Sequence, residues 1–216
     1  HLSVYPPLGK VKISAPERME LEIIRIYAIS KLGWIRKQQT KLKKQDREIQ
    51  REYVNKESHF FFGKRYLLKV IEQDQPYKVV LRHSTITLHL RPNTSIEKRK
   101  ELVDEWYREQ LKQTIPSIIE KWEKVINVKV NDFGVRRMKT KWGTCNASTK
   151  RILLNLELAK KPKECLEYIV VHEMVHLLER HHNDGFKTYM EKLLPKWRYI
   201  KDTLNKSPLA HEEWKY

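Results

Sequence analysis

Val170-Val171-His172-Glu173-Met174-Val175-His176-Leu177-Leu178 is the stretch that says most about the fold and chemistry of this chain. Its two histidines are four residues apart in an otherwise apolar run, so on an α-helix both imidazoles project from one face, about one turn apart. That spacing suits two ligands of a single metal ion. Glu173 lies about 100° round the helix, where its carboxylate can act as a general base without being a ligand. Because these polar groups would be costly to bury without a partner, we predict a metal site on a buried helix.

The residues after this helix offer candidates for a third ligand, because a hydrolytic zinc usually has three protein ligands and one open position. Glu179 lies on the same helical face one turn further along, which favours an indirect role beside the ligands. His182 would be well placed if the helix ended near Arg180 and the chain turned back at Asn183-Asp184-Gly185. His181 is the alternative, and the histidine that does not bind is then a surface residue.

Other segments carry motifs that can be compared with known families. The motifs lie in Met138-Lys139-Thr140-Lys141-Trp142-Gly143-Thr144-Cys145, in Ile152-Leu153-Leu154-Asn155-Leu156 and in His172 to Phe186. They resemble the WGSC-type motif, the I-x-L-N strand and the H-E-L-x-H-L motif of the YgjP-like metallopeptidase family, which is similar to the SprT-like zinc proteases. The resemblance spans nearly the whole chain through Trp34-Ile35, Gly63-Lys64-Arg65-Tyr66-Leu67 and Leu194-Pro195-Lys196-Trp197. It departs at Thr144, where the family usually has serine, and at Lys187, where an aromatic residue commonly stands.

The resemblance implies a zinc-dependent metallopeptidase. His172, His176 and His182 would hold Zn²⁺, and Glu173 would activate the zinc-bound water that cleaves the peptide bond. The residues that stabilise the oxyanion are not evident. Tyr189, Arg136 and Arg137 are candidates, and a structural role suits each of them better.

Pattern and resemblance together predict an α+β fold. We expect a zincin-like half, in which a short sheet packs on the HExxH helix, with a β-rich N-terminal part and long helices. No linker or repeat marks a boundary, so we predict a single domain over residues 1–216. Within it the N-terminal β/helical part covers 1–126, the catalytic part 127–205 and the tail 206–216.

Two other functions compete with peptide hydrolysis. A metal-dependent nucleotide phosphohydrolase, such as a nucleoside triphosphate pyrophosphatase, would use the same activated water. However, phosphate-handling sites usually recruit Mg²⁺ through carboxylates, and this cluster is rich in imidazole. A basic nucleic-acid-associated protein with a structural metal is the third interpretation, and a structural zinc would need four ligands.

The charge balance suggests an anionic partner. Lys and Arg number 44 against 27 Asp and Glu, a formal net charge of +17, which favours weak contact of the basic surface with nucleic acid or nucleotides. Arg36 to Lys44 is a candidate anion-binding arm, and a solvated helix face is the simpler interpretation.

Cysteine content and hydropathy bear on the compartment. Two cysteines, Cys145 and Cys165, are too few for a disulfide framework, so we predict a cytoplasmic protein that makes no contact with a membrane. Cys145 could approach the metal, although a packing role is simpler. No apolar run has the length of a membrane span, and because the chain begins with His1 we expect residues to precede it in the native protein.

The remaining pattern predicts the following elements. The N-terminal half gives a hairpin (Leu2 to Tyr5, Val11 to Ser14), a helix from Met19 to about Gln50, and strands at His59 to Phe62, Tyr66 to Glu72, Lys78 to Arg82 and Thr85 to Arg91. A helix capped by Thr94 and kinked at Pro116 runs to about Ile126, with a buried stripe of Leu102, Trp106, Ile118, Trp122 and Val125. Strands follow at Val128 to Val130, Val135 to Met138 and Ile152 to Leu156, with a turn at Trp142-Gly143 and Asn146-Ala147-Ser148 between the last two. Helices around Phe186 to Leu194 and Trp197 to Leu204 close the chain.

Overall fold

The computed structural model describes residues 1–5, 9–44, 51–138 and 141–206. Its contacts divide the chain into two compact units, His1–Gln50 with Lys206–Tyr216, and Arg51–Asn205. Within the described residues no helix is both long and apolar enough to cross a bilayer. The single domain over 1–216 stays a prediction.

The first unit is a hairpin and two helices. Strands β1 (Leu2–Tyr5) and β2 (Lys10–Ile13) pair antiparallel, as predicted. The single helix predicted from Met19 to about Gln50 is wrong, because the chain forms α1 (Leu21–Ser30) and α2 (Leu32–Lys44), and residues 45–50 lie outside the described part.

The break between α1 and α2 has a local cause. Ser30 Oγ donates to the Tyr27 carbonyl at 2.8 Å, and the Lys31 N–H donates to the Ala28 carbonyl at 3.1 Å. These i to i−3 bonds tighten the last turn of α1 and interrupt the α-helical hydrogen-bond ladder.

The second unit begins with a four-stranded sheet. Its strands are β3 (Ser58–Phe61), β4 (Lys64–Glu72), β5 (Lys78–Arg82) and β6 (Thr85–Leu90), in the order β3-β4-β6-β5. In this sheet β4 and β6 pair parallel, and the pairs β3–β4 and β5–β6 are antiparallel. In β6 the side chains of Ile86, Leu88 and Leu90 are buried, as the alternation predicted.

Helix α3 (Ile96–Ile126) contains Pro116 and spans the predicted range. Its N-cap is Ser95 rather than Thr94: Ser95 Oγ accepts from the Lys98 N–H at 3.3 Å. The buried stripe lies one residue beyond the predicted one, because it comprises Val103, Tyr107, Leu111, Ile115, Ile119, Trp122 and Ile126. Val125 is 58% exposed, and Trp122 alone belongs to both stripes.

A three-stranded sheet follows α3, in the order β7-β9-β8. Its strands are β7 (Asp132–Arg136), β8 (Gly143–Asn146) and β9 (Arg151–Asn155). The strand predicted at 128–130 is wrong, because the Val130 N–H instead donates to Glu123 Oε1 at 2.7 Å, at the end of α3. The predicted turn is wrong at Trp142-Gly143, because β8 begins at Gly143, and correct at Ala147 and Ser148, which follow β8 in a turn.

Four helical segments complete the second unit. They are a 3₁₀ helix (Leu156–Lys160), α4 (Lys163–Val175), α5 (Asp184–Leu193) and α6 (Trp197–Lys206). Helix α4 contacts α3, β8 and β9, and its Val170, Val171, Met174 and Val175 side chains are fully buried. The mixed fold with a short sheet against the HExxH helix is therefore as predicted.

Buried ion pairs fix the chain after β7. Arg137 donates to Asp104 on α3 at 2.8 Å and to Glu157 of the 3₁₀ helix at 2.7 Å. Burial would raise the pKa of Glu157, but Lys160 and Arg137 outweigh it, so that this pKa is lowered. These contacts join α3 to the segment that leads into α4.

Candidate metal centre

Three histidines come together at the C-terminal end of α4. The helix ends at Val175, but His176 keeps helical torsion angles (φ −64°, ψ −13°), which preserves the one-turn spacing from His172. One ring nitrogen from each of His172, His176 and His182 lies within 4.8 Å of the others. The Nε2 atoms of His172 and His182 are 3.0 Å apart.

His182 reaches this cluster because the helix ends early. The sequence made the position of His182 depend on a helix end near Arg180, and the helix ends five residues before that point. Asn183, placed in a turn by the sequence, is the N-cap of α5 and accepts from the Phe186 N–H at 2.9 Å. The cluster contains His182 and not His181.

Glu179 does not continue the helical face, yet it contacts a cluster histidine. Its carbonyl oxygen is 3.0 Å from His176 Nδ1. A carbonyl only accepts, so Nδ1 carries the proton and Nε2 has its lone pair free for a metal. The Glu179 carboxylate accepts from Asn183 Nδ2 at 3.0 Å, which ties this loop to the start of α5.

The electrostatics favour the neutral form of His172 and His182, which is the form that binds metals. Burial, together with the smaller effects of His176 and His182, lowers the pKa of His172 to about 3. Burial and His176 also lower the pKa of His182. Three neutral nitrogens directed at one another repel unless a proton or a cation lies between them, so this donor set fits a divalent metal ion such as Zn²⁺.

An aromatic ring supports the three imidazoles. Phe186 is 2% exposed, and its ring centroid lies 4.9, 4.8 and 4.7 Å from those of His172, His176 and His182. This packing restricts the rotamers of the histidines, so the cluster is preorganised.

Glu173 lies directly under strand β8. It is 4% exposed, and burial raises its pKa to about 8 while Lys141 opposes the shift. A Cβ at Gly143 would lie 2.5 Å from Glu173 Oε1, 2.8 Å from its Cγ and 2.9 Å from its Cδ. Only glycine lets the strand pass this close to the carboxylate.

Asn155, at the end of β9, holds the segment before β8. Its Nδ2 donates to the carbonyls of Met138 and Lys141, both at 2.8 Å. Its Oδ1 accepts from the N–H groups of Met138 at 3.3 Å and Glu157 at 3.2 Å. One buried amide therefore fixes both ends of the 138–141 segment.

The histidines and Glu173 face an open cleft of about 780 Å³. Lys141 to Ser148 form one wall, including all of β8, and Tyr168, Arg180, Lys201, Leu204 and Asn205 lie around the rest. Burial and then Glu173 raise the pKa of the Cys145 thiol in this wall to about 11. Cys145 is therefore a neutral thiol beside the site, and it is absent from the histidine cluster.

None of the three candidates for oxyanion stabilisation lines the cleft. Arg137 is bound in the ion pairs with Asp104 and Glu157, so its guanidinium has a structural role. Sequence reasoning missed the roles of Gly143 and Asn155, although the motifs containing them were visible.

Three clustered imidazoles with a buried carboxylate beside them, open to a cleft, form an arrangement that could hold a metal ion and activate a water molecule. The chain belongs to the YgjP-like family, because the model of the YgjP-like metallopeptidase domain matches residues 1–207. Membership implies a bound metal ion and peptide substrates.

Two crystal structures of metallopeptidase zymogens are similar to part of the chain. Abylysin of Pyrococcus abyssi has a TM-score of 0.40 at 20% identity, covering 42% of this chain and 91% of its own. Jannalysin of Methanocaldococcus jannaschii has a TM-score of 0.38 at 21% identity, and the match covers 42% of this chain and 92% of jannalysin. None of the curated proteins compared matches the chain.

Proposed function

We propose that the protein is a zinc-dependent peptidase whose substrate lies along β8. The observation that carries this proposal is the position of β8, which is an edge strand of its sheet and lines the cleft throughout its length. Within the described part of the chain, β8 pairs with β9 alone. An extended peptide can therefore add to its free edge through backbone hydrogen bonds, which places a peptide bond over the histidines.

His172, His176 and His182 would hold the zinc through neutral imidazole nitrogens. A bound zinc would make a coordinated water more acidic and would polarise the carbonyl of the scissile bond. The all-imidazole donor set supports zinc over Mg²⁺, which prefers oxygen ligands.

Glu173 acts as the general base in this proposal. Its carboxylate accepts a proton from the attacking water, and the water oxygen adds to the carbonyl carbon. The carboxyl group then returns the proton to the leaving nitrogen as the carbon–nitrogen bond breaks. Burial supports this role, because a raised pKa lets one carboxyl group both accept and donate near neutral pH.

Nucleotide phosphohydrolysis is the competing function, and one experiment separates the two. The protein is stripped of metal with a chelator, reloaded with zinc and incubated with a mixed peptide library and, in parallel, with nucleoside triphosphates. We expect new peptide termini by mass spectrometry, only in the zinc-loaded sample, and no release of phosphate or pyrophosphate. Release from nucleotides without peptide cleavage would contradict the proposal.

A further inference from the structure

The cleft over the histidines is lined by basic side chains from three separate segments. Lys141 precedes β8, Arg180 follows α4, and Lys201 belongs to α6. Glu173 is the one acidic residue among the described residues that line this cleft. The cleft is therefore strongly positive even before the charge of a metal is added.

These cations lack the carboxylate partners that many other basic residues have. Elsewhere, Lys121 pairs with Glu167 at 2.7 Å and Lys187 with Asp184 at 2.8 Å. In the described part of the chain Lys141, Arg180 and Lys201 form no ion pair. A chain with a net charge of +17 has many unpaired cations, so their convergence on one cleft is the informative feature.

Buried groups hold the backbone of Lys141 and the side chain of Lys201. The carbonyl of Lys141 accepts a hydrogen bond of 2.8 Å from Asn155, which is 5% exposed. The Lys201 ammonium lies 5.6 Å above the ring of Trp197, which is 8% exposed. Trp197 in turn stacks on Tyr168 with 6.4 Å between ring centroids, so Lys201 is a positioned cation at the cleft rather than a freely moving surface lysine.

The three cations lie beside the reacting groups. Lys141, Arg180 and Lys201 line the same cleft as the three histidines and Glu173. A ligand that meets these cations therefore lies beside the candidate metal centre.

We propose that Lys141, Arg180 and Lys201 bind a carboxylate of the peptide substrate, next to the bond that is cleaved. This inference rests on the proposed peptidase function and names its substrate class, namely peptides with an Asp or Glu side chain, or a free C-terminal carboxylate, close to the scissile bond. Carboxylates match the sign of the cleft, whereas basic peptides would be repelled by it.

The test compares matched peptides that differ only by Glu or Gln on either side of the cleavage site, each with a free and an amidated C-terminus. We expect kcat/KM to be about tenfold higher for the charged member of a pair at low salt, equivalent to about 1.4 kcal/mol. The preference falls as salt is added, because the cations are exposed. If the amidated peptide has the lower kcat/KM, the cations bind the C-terminal carboxylate. If the Gln peptide has the lower kcat/KM, they bind the side-chain carboxylate.

Substitutions of the three cleft cations test whether these residues cause the preference for the Glu peptide. Lys201→Gln, Lys141→Gln and Arg180→Gln each lower the ratio of kcat/KM between the Glu and Gln peptides, and Lys201→Glu shifts preference toward peptides with Lys in place of Glu. Lys192→Gln is the matched control, because Lys192 is exposed on α5 and does not line the cleft. It keeps both the ratio and the activity. Equal rates on all matched pairs, or an unchanged ratio in all three cleft variants, would overturn the proposal.

A binding measurement keeps this inference separate from the proposed function. Fluorescent Glu and Gln peptides are titrated with zinc-loaded Glu173→Gln protein, with anisotropy as the readout. If the wild type cleaves no peptide, the proposed function fails, while tighter binding of the Glu peptide still supports the carboxylate site. Binding of ATP without discrimination between the two peptides would assign the cations to phosphate and overturn the inference.

Discussion

Gly143→Ala tests whether β8 sets the position of Glu173. The added Cβ would lie 2.5 Å from Oε1, whereas ordinary contact begins near 3.4 Å. The strand has little freedom to move away, since Gly143 pairs with Leu154 of β9, a fully buried residue. The carboxylate must therefore retreat by about 1 Å, and a misplacement of that size costs about 100-fold in rate.

The assay for Gly143→Ala is kcat/KM on a cleaved peptide, with zinc content and thermal unfolding measured on the same preparations. We expect the activity to fall by about 100-fold with zinc content unchanged, because the substitution does not touch a histidine. Overpacking beside a buried group should also lower the free energy of unfolding by about 1–3 kcal/mol.

The matched control is Gly33→Ala, the same chemical change in α2. A Cβ at Gly33 meets nothing within 4 Å, and alanine favours a helix over glycine by about 1 kcal/mol. This variant should keep full activity and lose no stability. Near-wild-type activity in Gly143→Ala with zinc bound would refute the reasoning, because β8 would then not constrain the base.

Three other changes have defined outcomes. His182→Ala should weaken zinc binding in a competition titration far more than His181→Ala, and the reverse order would move the third ligand to His181. In the metal-free protein the pKa of Glu173 is raised from 4.5 to about 8, so the contribution of this group to stability falls as pH rises through that window. The free energy of unfolding of Glu173→Gln relative to wild type, measured by urea denaturation, should therefore increase by up to about 1.4 kcal/mol per pH unit. Asn155→Asp replaces a donor to two carbonyls with an acceptor and should lower the free energy of unfolding by about 2–4 kcal/mol. An unchanged denaturant midpoint would contradict a stabilising role for the contacts of Asn155 with Met138 and Lys141.

Secondary structure could be predicted from the sequence where apolar residues recur periodically and turn or capping residues mark the ends of an element. Strands β4 to β6 have such patterns, and their boundaries were close to those observed. The stripe of α3 shows the limit of the method. Leu102 and Trp106 lie beside Val103 and Tyr107, so two neighbouring faces are apolar and the pattern cannot choose between them. Tertiary packing buries the face with Tyr107, whose hydroxyl donates to the Phe60 carbonyl at 2.7 Å.

The parts of the site that depend on contacts distant in sequence could not be predicted in this way. Strand β8 has a glycine, polar residues and no alternation, so it was placed in a turn. Its place in the sheet follows from pairing with β9, and the need for Gly143 follows from the approach of Glu173, which is 30 residues away in the sequence. The histidine spacing was local and therefore visible, while Lys141, Arg180 and Lys201 meet only in three dimensions.

Glu173→Gln is the most direct test of the central claim, that this centre hydrolyses peptides with Glu173 as the base. The amide keeps the shape of the carboxylate but cannot accept the proton of the attacking water. We expect about one zinc per chain in both proteins and a loss of about two to four orders of magnitude in kcat/KM on one peptide substrate. Equal zinc content with near-wild-type cleavage would contradict the account.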